Sequence, residues 1–384
     1  MEIKQISAIL GDSLKQVFGE ESITATDLTG IVAEGNKLIT GADASIFDKL
    51  AYGLLDRVYK VVIGVRKYIP SASNIIRDYE TYGAILEKVY YEPINAENNK
   101  TWELVNGSSV DPFTVKLVNT KVKIFSDRTT WEVPFTITEE QIKTAFLNAS
   151  EMTVFVSGLF DIAENSMSLQ VEKVAEFTRA NFIGEKIAYD SEVDKRGIPV
   201  VKLVTDYNTL YPDATITRDN CLYNKEFLRY ASATIRKWQK KLTKYSTLFN
   251  NEGFKRFTPV ENQRLTFISD FIQQMETYLQ SDTFHDEIVK LPQYSELPYW
   301  QGTGTAYNTN DCMSINITTS SGKVVNASGI IGVIADEDAM GITIWNERTT
   351  SAYNGHGEYT NYYKKADIGL WNDLSENAIV FQLA

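Results

Sequence analysis

"TEEQIKTAFLNASEMTVFVSGLFDIAENSMSLQVEKVAEF", residues 138–177, decides how the rest of the chain is read. Thr138 stands as an N-cap with Gln141 at N3, a capping box, and Glu139 and Glu140 put negative charge where the helix dipole favours it. Ile142, Ala145, Phe146 and Ala149 then fall at i, i+3, i+4 and i+7, a single apolar stripe. A second helix is expected from about Val154 to Phe182, with Leu159, Ile162, Ala163, Met167, Val171, Val174 and Phe177 along its inner side. At about 1.5 Å per residue it spans on the order of 40 Å, longer than an ordinary globular helix. It is a spine on which the remainder can be hung.

Upstream lies "RDYETYGAILEKVYYEP", residues 77–93, a β-prone stretch that ends in a proline. Its apolar centre, Ala84-Ile85-Leu86, is surrounded by Tyr79, Tyr82, Val89, Tyr90 and Tyr91. After an Asn-rich stretch, Val115 and Leu117, then Val122 and Ile124, alternate with polar neighbours in "TVKLVNTKVKIF". Together these regions read as a long hairpin. Prolines at 70, 93, 112 and 134 confine it to sheet edges, since proline cannot donate to a ladder. A two-stranded ribbon is only marginally stable alone in water, so its aromatic face must find a surface elsewhere. Further upstream, residues 1 to about 50 read as an arm with short helices, and "AYGLLDRVYKVVIGVRKY" as a short helix leading into a strand.

Downstream the pattern is α+β. "GIPVVKLVTD" reads as a strand, "NKEFLRYASATIRKWQKKLTKY" as a helix through Phe227, Ile235, Trp238, Leu242 and Tyr245, and "LTFISDFIQQMETYL" as another helix. "DEIVKLP" and "SINITT" read as short strands. The end is β again, with "GITIWNERTT", a loop "YNGHGEY" and a last strand "AIVFQ". No repeat of solenoid period is visible.

A chain of 384 residues has room for two or three domains and a sizeable core. Its 43% apolar and 23% charged residues are those of a folded protein, although 21 tyrosines are many. A net charge of −12 disfavours a dedicated nucleic-acid-binding module and adhesion to an anionic bilayer, but an acidic shell can enclose DNA without gripping it. "MEIKQISAIL" does not read as a secretory signal, and "ASGIIGVIA" is about half of the roughly 20 residues of a membrane span. Two cysteines, Cys221 and Cys312, argue against a disulfide framework and fit a reducing cytoplasm.

No catalytic constellation emerges. His285 and His356 sit far apart in unlike contexts, and a Ser-His-Asp or Cys-His mechanism needs a histidine beside both a nucleophile and an orienting acid. The cysteines have no neighbouring ligands for zinc. "GTGT" at 302–305 and "SSGKVV" at 320–325 lack the residues of phosphate-binding loops and read as turns. "ADEDAMG" at 335–341 lacks the alternating ligands of a calcium loop and reads as a solvated acidic turn. Arg236, Lys237, Lys240, Lys241 and Lys244, with Trp238 and Tyr245 interleaved, could serve a nucleic-acid reader. At helical spacing they read better as a solvated face or an ion-pairing seam. No cofactor, metal or enzyme activity is expected.

From the spine helix outward, the order of elements resembles the major capsid proteins of tailed bacteriophages, particularly the short-tailed type. The stretches that carry it are "YETYGAILEKVYYEP", the spine sequence, "IRKWQKKLTKYSTLFN" followed by "RLTFISDFIQQMETYLQSD", and "GVIADEDAMGITIWNERTTSAYNGHGEYTNYYKKADIGLWNDLSENAIVF". The resemblance implies an α+β fold with an N-terminal arm at 1–50 and an extended E-loop at 67–136. It implies a peripheral domain from 51–66, 137–188 and 326–366 built on the spine helix, and an axial domain from 189–325 and 367–384. It further implies self-assembly into hexamers and pentamers of an icosahedral head around double-stranded DNA, in a virion built in the host bacterial cytoplasm. Portal and scaffold or minor capsid proteins would be partners, with no membrane. On this reading the ribbon's lid belongs to an adjacent subunit. The contact candidates are Tyr79, Tyr82, Tyr90, Tyr91, the tryptophan that follows Thr101 (Trp102), Phe113, Lys237 and Lys241. Some members crosslink through a lysine and an asparagine, and Lys100 near the hairpin tip does not suffice to match them. A nanocompartment shell protein and a carboxylate-based hydrolase are the competing readings; the hydrolase predicts a cleft with a pair of acids of displaced pKa.

Overall fold

A computed structural model describes residues 73–77, 86–98, 113, 115, 117–126, 128–140, 149–192, 197–280, 293–300 and 312–384. The expected arm, the helix leading into a strand after Ala51, Tyr79, Tyr82, Lys100, Thr101 and Trp102 lie outside these residues. So do Gln141 of the capping box, His285, "DEIVKLP" and "GTGT".

The spine is helix α1, Ala149–Asp190, 42 residues and so on the order of 60 Å, longer at both ends than its apolar pattern suggested. Ala163, Met167, Val171, Val174, Ala175 and Phe182 are buried along it. Ile162 and Phe177, expected on that inner side, are instead 67% and 38% exposed. At about 100° per residue, Ile162 shares an outer line with Leu169, opposite the face that buries 163, 167 and 171, whereas Phe177 sits at the edge of that face and is only partly exposed.

Helix α1 packs on a four-stranded sheet ordered β1-β11-β12-β4. β1 (Ile76–Arg77) runs parallel to β11 (Met340–Asn354), which forms a long antiparallel hairpin with β12 (Tyr359–Asn372). β4 (Arg128–Thr138) pairs with β12 along its whole length. The tip of the hairpin is the expected "YNGHGEY" turn, where the Asn354 side chain accepts from the His356 and Gly357 amides, and His356 is exposed there. Across this sheet Asp367 is buried and binds Arg128 at 2.5 Å, Arg348 at 2.6 Å and the Thr130 hydroxyl at 2.6 Å, stitching β4, β11 and β12 together. The bonds from Arg348 and Thr130 hold its carboxyl well below the usual carboxylate range.

A second, five-stranded sheet is ordered β5-β13-β10-β6-β7, from Val200–Lys202, Ala378–Gln382, Ile330–Asp336, Gln263–Ile268 and Ser295–Leu297. Its central strands are apolar without alternation, as expected for strands covered on both faces. β6 corrects the expectation of a continuous helix over "LTFISDFIQQMETYL". The buried run through Leu265, Phe267 and Ile268 belongs to the sheet, and helix α4 starts only at Ser269 and runs to Gln280. A short apolar run cannot be told from a buried helix by periodicity, and here the neighbours β10 and β7 decide. Likewise "GIPVVKLVTD" is the strand β5 and then a helix α2, Leu203–Leu210.

Helix α3, Lys225–Leu242, is capped by Asn224, whose side chain accepts from the Phe227 amide at 2.9 Å. It buries Phe227, Leu228, Ala231, Ile235, Trp238 and Leu242. Tyr245, expected on the same stripe, lies beyond the helix end, 58% exposed and 4.5 Å from the Phe257 ring, because the chain leaves α3 to form the bridge Ser246–Arg256. "SSGKVV" is the turn of the hairpin β8 (Ile315–Thr318) to β9 (Val324–Ala327), with Gly322 at φ 81°. Glu185 of α1 accepts from the Ser320 hydroxyl and from the Ser321 amide and hydroxyl, fastening that turn to the spine.

The expected domain limits cut across these sheets. Residues 330–336 are a central strand of the five-stranded sheet, and 367–372 complete β12 of the four-stranded one.

Candidate functional site

The expected hairpin is a separate two-stranded sheet, β2 (Leu86–Tyr91) with β3 (Thr120–Phe125), in antiparallel register from Leu86↔Phe125 to Tyr91↔Thr120. Among the described residues it makes no backbone hydrogen bond to either larger sheet. Only Ser126 and residue 127 separate β3 from β4, which belongs to another sheet.

The pleat sorts the ribbon into two faces. Leu86, Lys88 and Tyr90, opposite Phe125, Lys123 and Lys121, turn toward the body. Glu87, Val89 and Tyr91, opposite Ile124, Val122 and Thr120, turn away. The distribution of polarity is reversed from that of a sheet packed on its own core. The inward face carries three lysines, and the outward face exposes Val89 at 45%, Tyr91 at 70%, Val122 at 52% and Ile124 at 64%. Beyond the paired strands Ile94, Phe113, Val115 and Leu117 continue the exposed apolar series.

The seat for the inward face is built around Asp373, in the loop after β12. Its carboxylate is fully buried and accepts from Lys88 and Lys123, both at 3.1 Å, from the Ser375 hydroxyl at 2.6 Å and from the Tyr90 hydroxyl. Lys88 also reaches Glu376 and the Asp338 carbonyl, and Lys123 reaches Glu252. Arg256 pairs with Glu376 and stacks its guanidinium 4.3 Å from the Tyr90 ring. Lys121 lies 4.2 Å over the Phe254 ring, which itself packs on Tyr90 at 5.7 Å. Burial pushes the Asp373 carboxyl up, but Lys88, Ser375, Tyr90 and Lys123 outweigh it and hold the pKa at about 2. Burial and the bond to Asp373 push the Tyr90 phenol well above its ordinary value. Beneath the seat Lys186 of α1 is wholly buried and donates to the Phe249 carbonyl; burial lowers it to about 7 against the opposing charges of Asp373, Glu252 and Glu376.

Tyr90 therefore corrects the expectation for the ribbon. It is 4% exposed, and its lid is Phe254, Arg256 and Asp373 of its own chain. Tyr90 and Tyr91, grouped as one aromatic face in the sequence, point to opposite faces because adjacent strand residues must. Tyr91 and Phe113 are exposed. Lys237 and Lys241 lie on the solvent face of α3, with Lys241 held 3.8 Å over the Trp238 ring. Sequence reasoning missed the seat residues and the outward valines and isoleucine; the parity of Val89, Tyr91, Val122 and Ile124 was the available signal.

The acidic turn at 335–341 is not freely solvated. Asp336 accepts from the Thr258 hydroxyl at 2.7 Å, and burial raises its pKa. Glu176 has its pKa raised to about 7 by burial and by Glu172, with Arg179 opposing. Glu172 and Glu176 are buried in the middle of the spine. A cavity of about 600 Å³ lies elsewhere, lined by Asn74, Gln239, Gln263, Arg264 and Tyr294, with Glu261 its one carboxylate among the described residues. Neither place joins a cleft to a pair of acids. Among the described residues no His, Cys, Asp and Glu cluster could hold a metal, and no helix is long and apolar enough to cross a membrane.

Residues 6–382 match the sequence profile of the Phi29-like phage major capsid protein family. Among solved structures, the chain is similar to one described as the capsid structure of Staphylococcus phage Andhra, with a TM-score of 0.50 at 9% identity over 80% of this chain and 83% of that one. It is also similar to a chain in the structure of head fiber and inner core protein gp22 of native bacteriophage P68, with a TM-score of 0.52 at 9% identity over 84% and 86%. At such identity the likeness speaks for the fold alone. A comparison with curated proteins returns no match.

Proposed function

The chain belongs to the Phi29-like phage major capsid protein family, and from that premise we propose how this subunit assembles: the outward face of the β2–β3 ribbon is buried against a neighbouring copy. The observation that carries this is the reversed polarity of the ribbon. Its charged face is satisfied within the chain, while Val89, Tyr91, Val122 and Ile124 are left in solvent. Exposed apolar residues grouped on one rigid face mark an interaction site. Four such residues contribute little per contact, and symmetry multiplies the contact around a closed shell.

The subunit's copies form hexamers and pentamers of an icosahedral head enclosing double-stranded DNA. The peripheral unit is α1 with the four-stranded sheet, and the axial unit is the five-stranded sheet with α2, α3 and α4, including residues 330–336. A net charge of −12 suits a container that must take in a genome and release it. Portal and scaffold or minor capsid proteins complete the head, which assembles in the host bacterial cytoplasm. The role is structural, without catalysis.

Substituting Val89→Asp and Val122→Lys tests the reading. The two positions are directly opposed, so the new charges can pair across the strands while the apolar face is lost. Under conditions where the wild-type chain forms shells by light scattering and negative-stain imaging, the double variant should remain as folded subunits or capsomers. Shells of normal size and yield from the variant would refute the assignment.

A further inference from the structure

We infer that the ribbon is a hinged strap fastened by an ionic latch centred on Asp373, released by salt so that the strap re-angles as a unit without unfolding the body. The inference deepens the assembly reading and rests on it for its purpose, but its physical basis is separate.

Three observations carry it. First, the attachment is made by side chains: the ribbon shares no backbone hydrogen bond with the larger sheets among the described residues, and two residues separate β3 from β4. Its own ladder is internal and survives a change of angle. Second, the attaching groups are mostly charged. Lys88 and Lys123 both end on the buried Asp373, and each has a second carboxylate, Glu376 or Glu252. Tyr90 is the one ribbon side chain that the body buries outright among the described residues of β2 and β3. Third, the charges balance only when the strap is closed. If Lys88 and Lys123 leave, then among the described residues Asp373, Glu376, Glu252 and the neighbouring Asp336 face only Arg256 and the buried Lys186.

Opening therefore separates opposite charges and leaves an acidic seat and a basic strap, both of which attract counterions. The Debye length falls from about 10 Å at 0.1 M salt to about 3 Å at 1 M, so added salt stabilises the opened state more than the paired one.

Quantitative amine acetylation of the full-length chain, held below its assembly concentration, tests this. Lys88 and Lys123 have side chains 14% and 26% exposed when latched, and Lys364, 17% exposed in β12, reports on the body. Between roughly 0.1 and 1 M sodium chloride, the reactivity of Lys88 and Lys123 should rise about tenfold relative to Lys364. Asp373→Asn should show that high reactivity already at low salt, with less than about a twofold further response. Reactivity that does not rise, or that rises only in step with Lys364, overturns the latch. If Asp373→Asn does not fold, the wild-type salt series decides alone. Because the labelled chain is unassembled, the latch can fail while the outward-face reading stands, and the reverse.

Discussion

Lys186 shows what a single residue can impose on this fold. It sits wholly buried near the end of the spine helix, and its one direct acceptor among the described residues is the Phe249 carbonyl at 3.3 Å. Burial depresses its pKa from 10.5 to about 7, so between these values the unfolded chain holds a proton that the folded chain has released. Stability then rises with pH across that window, and the penalty is complete below about pH 7. Denaturant unfolding at about pH 7 and pH 9 should show the wild type gaining on the order of 1–2 kcal/mol more than Lys186→Met over the same interval. An equal gain in both proteins would mean that Lys186 is ionised normally. The same charge lies against the acids of the Asp373 seat, so the spine and the strap share one electrostatic centre.

Among the elements, β10 is tightly constrained by shape. Gly332 faces the β6 strand so closely that a Cβ there would stand 2.6 Å from the Thr266 carbonyl oxygen and inside the Phe267 ring. Phe267 cannot give way easily, since it packs on Phe271 at 6.1 Å and Phe381 at 6.4 Å. Gly332→Ala should cost about 2–3 kcal/mol, measured by thermal or denaturant unfolding, because overpacking a closed core forces backbone shifts. A neutral result would mean that β10 and β6 are less tightly apposed. The amphipathic helices were legible from their own residues: α3 from the stripe Phe227 to Leu242, and α1 from Ala163 to Phe182. The split of "LTFISDFIQQMETYL" was not, because its first half is a strand only by virtue of β10 and β7 on either side. Ile162 was placed inward beside Ala163, but adjacent helix positions lie about 100° apart, and the sheet takes the face of Ala163, Met167 and Val171.

At the scale of the whole molecule, a net charge of −12 makes copies repel one another before the apolar faces meet. The association rate of wild-type chain, followed by light scattering, should therefore increase with ionic strength from roughly 0.02 to 0.15 M, as the Debye length falls below about 10 Å. A rate that falls with salt over this range would point instead to attraction between oppositely charged patches, such as the exposed lysines of α3 against an acidic neighbour. The two effects of salt are sought in different ranges, since exposed charges are screened already at low salt and partly buried pairs such as Lys88 and Asp373 much less.

The sequence by itself determined the local elements and their order: a charged, tyrosine-rich ribbon, a spine helix, an α+β block and a closing strand. These follow from periodicity, caps and turn residues, which act over a few positions. It also leaves only two histidines and two cysteines for the chemistries that depend on them. Only the tertiary structure decided which side of the ribbon is its inside. A period of two creates two faces but does not label them, and the label here comes from Asp373, 283 positions beyond Tyr90. A buried carboxylate requires cations and a donor hydroxyl around it, so the face carrying Lys88, Tyr90 and Lys123 turns inward and the apolar face is left for another surface.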